Sequence, residues 1–325
     1  MTTTAALLPA ARGELSAALL ERLSGATAVL PDRVGGPDPY GDDLQLALHL
    51  AYELHYRAMP GVDPELEWDP EVLRFRRELE RVFLAALRAD TAGGDDVEAV
   101  LAPLLLEPVD GTGTSWHLWR TGTVEQLREY VVHRSVYHLK EADPQAWVVP
   151  RLEGLAKAAM VTVQHDEYGG GRAERMHAQL FADMMLELDL DPSYGRYLDA
   201  VPAVTLAPVN LMSLAGLHRS LLGAAVGQFV MIEVTSSPGS RRLSAAFARL
   251  AAGAAGPRFY DEHVEADAVH EQLLRRGLAD LLRRTPAVAS DVVFGIQAGL
   301  LLEDRFGAHL LGCWEAGESS LRPSR

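Results

Sequence analysis

Cysteine is almost missing from this 325-residue chain. The single Cys313 excludes an internal disulfide framework and a cysteine-rich zinc site. Basic charge is also short. Lys and Arg total 30 against 45 Asp and Glu, a net charge of −15, with no basic arm or clustered run. A nucleic-acid partner is therefore not expected, whereas a cationic or zwitterionic small molecule is tolerated. Clean apolar runs are missing too. The most apolar region, 200–234, is broken by Asn210, His218, Arg219 and Glu233, short of the roughly 20 apolar residues of a membrane span. The opening MTTTAALLPAARGELSAALL has no basic segment ahead of its short apolar run, so neither a signal peptide nor a membrane contact is expected. The expected location is the cytoplasm. No H-E-x-x-H occurs, which disfavours a zinc hydrolase.

Strand signals are few and helical periodicity is common, so the fold class is all-α. Helices are expected over 1–25, 43–58, 70–90 and 96–107, and EPVDGTGTSWH then marks a boundary near 115. Thr123 with Gln126 forms a capping box opening a helix to about 142, stopped by Asp143-Pro144. Pro150 suits the start of a helix over 151–168, which a triple glycine at 169–171 separates from one over 172–189. Apolar helices over 203–235 end at SSPGS, Pro257 opens the next helix, and a last one covers 287–314.

What the helices carry on their inward faces is the informative part. In YDEHVEADAVHEQLLRRGL, residues 260–278, His263, Asp267 and His270 lie within roughly 60° of each other, on the side of Phe259, Leu274 and Leu281. A lone inward histidine is usually a hydrogen-bonded core residue. Three ionisable groups on one buried face need compensation, which a metal ion or a polar network can supply. Glu167 lies over an apolar face while its neighbours His165 and Asp166 point elsewhere. His177 shares a face with Phe181 and Met184, and Glu174 sits about 60° from it, an E-x-x-H pattern. Because three glycines break the helical phase, either Glu167 or Glu174 can accompany His177. Glu141 stacks with Tyr137, Arg134 and Tyr130, as a ligand or as the partner of Arg134. Three histidines and three carboxylates exceed what one metal with open positions needs, so two metals fit better.

At this point residues 116–320 resemble the haem-oxygenase-like di-iron oxidases, the iron-containing redox enzymes. The resemblance rests on Glu141 in the first core helix, Glu167 with His177 as E-x9-H, and His263, Asp267 and His270 as H-x3-D-x2-H. The phrases HLKEADPQAW and DEYGGGRAERMH are similar as well. It implies a haem-oxygenase-like bundle over 116–325 with an N-terminal helical extension, 1–115, packed on it. The implied ligands of two Fe ions are Glu141, Glu167, His177, His263, Asp267 and His270, with Glu174 left near the site. Glu262 would join only after local unwinding, since it lies about 100° off the ligand face. His49 and His55 in the extension read as structural or exposed.

The resemblance further implies an O2-activating non-haem di-iron oxidase or oxygenase of specialised metabolism. Its substrate would be a small amine or an amino-acid-derived molecule, undergoing N-oxygenation or oxidative bond cleavage, and an electron donor and a homodimer are both allowed. The ligands must be deprotonated, so metal affinity is expected to fall below roughly pH 6. Glu233, within an apolar stretch, could meet a substrate ammonium, and Arg134 a substrate carboxylate. Tyr137 and Tyr260 could line the pocket. Glu303 and His309, about 120° apart on the last helix, do not form one site. Two rival readings are a fatty-acid decarboxylase giving a terminal alkene and a metal-free, cofactor-binding or thiaminase-like protein on the same scaffold.

Overall fold

The computed structural model describes residues 8–26, 29–107 and 110–323, with the side chains of 267 and 268 outside the description. It is 72% helical, and no strand occurs among the described residues. Thirteen helices follow in order among them: α1 (Glu14–Leu23), α2 (Asp42–Glu53), α3 (Pro70–Asp90), α4 (Val97–Leu101), α5 (Thr114–Arg120) and α6 (Val124–His138). After them come α7 (Asp143–Ala146), α8 (Gly154–Glu167), α9 (His177–Glu187), α10 (Ala203–Leu217), α11 (Leu222–Leu250), α12 (Ala255–Arg284) and α13 (Ala289–Glu315).

The local signals act as their chemistry requires. Thr123 Oγ1 accepts from the Gln126 amide at 3.2 Å, and Gln126 Oε1 accepts from the Thr123 amide at 3.1 Å, which starts α6. Asp69 caps α3 with Pro70 in its first turn. Gly169, Gly170 and Gly171 all take positive φ, from 61° to 81°, so α8 stops and α9 begins in an independent phase.

Four expectations need correction. The helix of residues 1–25 is seen only as α1, and residues 1–7 lie outside the described chain. The helix containing Arg134 ends at His138, so Glu141 stands on a turn closed by the left-handed Ala142 at φ 73°. The stretch before His177 is a short 3-10 turn, Ala173–Arg175, which takes Glu174 out of helical register with it. Finally, α11 continues through SSPGS to Leu250 with Pro238 inside it. Proline removes one hydrogen bond there, but burial of Leu243, Ala246 and Phe247 on the far side of it holds the helix together.

Packing explains the apolar helices. α11 and α13 are long and apolar enough to cross a membrane by length and hydropathy alone, but 67% of the most apolar window of α11 is buried within the bundle. The two approach at backbone distance. A Cβ on Gly227 would stand 2.2 Å from the Val292 carbonyl oxygen, and one on Gly295 would stand 2.1 Å from that of Ala224. One hydrophobic core joins Leu46, Phe75 and Phe83 of the early helices to Leu206, Ala224 and Val292. A second gathers Phe181, Phe247, Phe259 and Phe306.

Candidate metal centre

α12 carries His263 and His270 two turns apart, both buried. His263 Nδ1 lies 2.8 Å from the Phe259 carbonyl oxygen. A carbonyl only accepts, so Nδ1 bears the proton and Nε2 of the neutral ring presents its lone pair. That Nε2 faces Glu141 Oε1 at 3.6 Å. The ring also lies 4.3 Å from that of His177, centroid to centroid. Asp267 belongs to the same helix, but its side chain lies outside the described residues.

Glu141 reaches this point because α6 has ended. Its Oε1 accepts from His138 Nδ1 at 2.8 Å, and the His138 ring stacks on Phe181 with centroids 4.8 Å apart. Burial works against the carboxylate, but the charge and hydrogen bond of His138 outweigh it and hold Glu141 well below the usual carboxylate range. Its Oε2 is buried without a hydrogen-bond partner among the described residues.

Glu167, at the end of α8, joins two histidines. Its Oε2 lies 2.8 Å from His177 Nδ1 and its Oε1 lies 3.7 Å from His270 Nδ1. The contact with His177 falls outside hydrogen-bond geometry, so two donor atoms converge without bonding each other. His270 is the most crowded residue. Glu233 Oε2 is 3.0 Å from its Nδ1, and Asp166 Oδ2 is 3.2 Å from its Nε2. Burial lowers the pKa of the ring, but the hydrogen bond and charge of Glu233, with Glu167 and Asp166, raise it to about 9.

Two triads of potential ligand atoms result: Glu141, His177 and His263, then Glu167, Glu233 and His270. Within each, the ligand atoms all lie within 4.8 Å of one another. The carboxylate of Glu167 spans the two. Imidazole and carboxylate at this density suit a first-row transition metal.

Several sequence expectations are redistributed. Glu233, which also lines the cavity described below, lies 3.0 Å from His270. Arg134 does not pair with Glu141. It makes a two-pronged contact with Glu303, at 3.0 and 2.7 Å. Glu262 pairs with Arg175 at 2.8 Å on the outer side of α12, away from both triads. Glu174 is exposed, and its backbone carbonyl accepts from Arg258 at 3.5 Å. Asp166, expected to point elsewhere, reaches His270. His49 is buried beside Glu53, and His55 bonds Glu67 at 3.1 Å, and neither belongs to the two triads. His309 bonds the Ser320 carbonyl and stays apart from Glu303. Sequence reasoning missed His138, although it stands three residues before Glu141. The Arg134–Glu303 pair spans 169 residues and leaves no local signal.

A cavity of about 320 Å³ adjoins the first triad. Glu141, Glu167, Glu233 and His263 line one part of it, and Met212, Phe229, Ile232 and Leu300 supply apolar wall. Tyr137, whose hydroxyl accepts from Gln145 at 3.3 Å, and Tyr260 also face it. Residues 128–304, more than half the chain, match the family model described as iron-containing redox enzyme. No curated protein matches the chain.

Proposed function

Because the chain belongs to the iron-containing redox enzyme family, we propose that this oxidoreductase is a non-haem di-iron enzyme that uses O2 to oxidise a small amine or amino-acid-derived substrate. The observation that carries the reading is the pair of adjoining donor triads with Glu167 between them. The donor set fits metal. Glu141 Oε2 is buried without a partner among the described residues, and Glu167 and His177 converge out of hydrogen-bond geometry. Both are costly in a dry interior unless a cation takes up the lone pairs.

Glu141, His177 and His263 would hold one iron, and Glu167, Glu233 and His270 the other, with Asp267 available from the same helix. Iron bound there would supply reversible one-electron redox chemistry and a binding place for O2. The remaining work falls to the chain. The Phe259 carbonyl keeps the His263 proton on Nδ1, so that ring needs no deprotonation to bind. His138 steadies the charged Glu141 and holds a proton against Oε1. Apolar wall from Met212, Phe229 and Leu300 limits water beside the triads. A metal-free, thiaminase-like role is disfavoured, because it leaves Glu141 Oε2 and the Glu167–His177 contact without a hydrogen bond among the described residues.

The test is anaerobic reconstitution with Fe(II), with iron counted per chain before exposure to O2. About two irons per chain, lost together with O2 consumption in His263→Ala, is the expected result. No more than one iron after reconstitution, with uptake unchanged in His263→Ala, would sink the proposal.

A further inference from the structure

The cavity has a second polar region that the donor triads do not use. Arg134 is held on every side. Its Nε donates to Tyr130 Oη at 3.3 Å, both terminal nitrogens donate to Glu303, and its guanidinium lies 4.4 Å from the Phe306 ring centroid. The pair sits among core helices, yet the side chains of Arg134 and Glu303 keep 23% and 34% of their surface accessible. Both line the cavity, which accounts for that surface. Tyr260 lines it as well, and its buried hydroxyl has no hydrogen-bond partner among the described residues. A buried hydroxyl left unmatched in the same cavity as an accessible, immobilised carboxylate is the arrangement of a site awaiting a polar group.

The charge of that group follows from the geometry. Arg134 directs its guanidinium to Glu303 and Tyr130, so it serves to fix the carboxylate, whose oxygens keep lone pairs for a further donor. A second anion brought here would meet the charge of Glu303, whereas a cation would be matched by it. We propose that Glu303, immobilised by Arg134, anchors the cationic head of the substrate, a primary ammonium or a guanidinium, with Tyr260 as a further hydrogen-bond partner from the cavity wall. Glu303 shares the cavity with Glu141 and His263, and Met212, Ile232 and Leu300 supply apolar wall in it, so the substrate is an amine whose aliphatic portion lies against that wall. This deepens the function proposed above and rests on it for the reacting end alone.

The experiment is anaerobic titration calorimetry of the Fe(II)-loaded protein with hexylamine, 1-hexanol and hexanoate. Hexylamine is expected to bind about tenfold or more tightly than either, and Glu303→Gln to remove that preference while retaining its iron content. Hexanoate binding as tightly as hexylamine, or Glu303→Gln holding hexylamine within twofold of wild type, would overturn the anchor. If Glu303→Gln does not fold, the wild-type series decides alone. A wild-type protein that binds two irons but shows no preference for hexylamine overturns the anchor and leaves the di-iron reading standing. A preserved preference in a protein that takes up no more than one iron does the reverse.

Discussion

Glu233 Oε2 lies 3.0 Å from His270 Nδ1, a contact between α11 and α12 across 37 residues of sequence. It joins a carboxylate buried in an otherwise apolar helix to the last histidine of the H-x3-D-x2-H pattern. The pairing places Glu233 with Glu167 and His270 in one group of potential ligand atoms.

Glu233→Ala should therefore lower iron uptake from about two per chain toward one, as expected for loss of a ligand. Metal analysis after anaerobic reconstitution reads this directly. Unchanged stoichiometry and affinity would return Glu233 to a purely structural role.

In the metal-free protein His270 carries a proton up to about pH 9, because Glu233, Glu167 and Asp166 surround it. Metal must displace that proton, so affinity should climb from pH 7 to pH 9 and not level off just above pH 6. The apo fold responds in the opposite direction. A histidine pKa raised above its unfolded value contributes stability that is fully present below about pH 6.5 and is lost as pH rises through about 9. Thermal melts of the metal-free wild type and His270→Asn between pH 6 and 10 should show their difference shrinking with pH. A constant difference would contradict the assignment.

Lys140, next to Glu141, is fully buried and pairs with Glu53 of α2, which also accepts from Tyr194 Oη at 2.5 Å. Lys140 further lies over the Tyr56 ring at 4.3 Å. Glu53→Gln strands that ammonium and should cost about 3–5 kcal/mol in urea unfolding. Adding Lys140→Met should restore much of the loss. The single variant should also weaken iron binding, since the turn that presents Glu141 is tied down through its neighbour. Equal stability of the single and double variants would show the pair to be uncoupled.

Gly227 faces the backbone of α13, where an added methyl group would stand only 2.2 Å from the Val292 oxygen. Gly227→Ala must push α11 and α13 apart, and a loss of about 1–3 kcal/mol is expected. Gly307→Ala, at a position of α13 with nothing within 4 Å among the described residues, is the control and should be neutral or mildly stabilising. Equal effects of the two substitutions would refute the close approach as the reason for glycine at 227.

Much of the fold was legible because its signals are local. The Thr123–Gln126 box, the glycine triplet at 169–171 and the Asp69–Pro70 start each act within a few residues. SSPGS misled for the same reason. Proline and glycine mark a stop in isolation, but tertiary burial on both sides carried α11 through.

The site divides along the same line. By itself the sequence determined that His263 and His270 share the inward face of one helix, and that Glu167 and His177 flank a break in phase, because helical periodicity depends only on spacing. Which carboxylates those histidines meet was decided by tertiary structure. The contacts of Glu233 and Asp166 with His270, the departure of Glu262 to Arg175 and the pairing of Arg134 with Glu303 all depend on how separate helices cross. Crossing angles and rotations come from side-chain packing between distant segments, and no spacing within one segment encodes them.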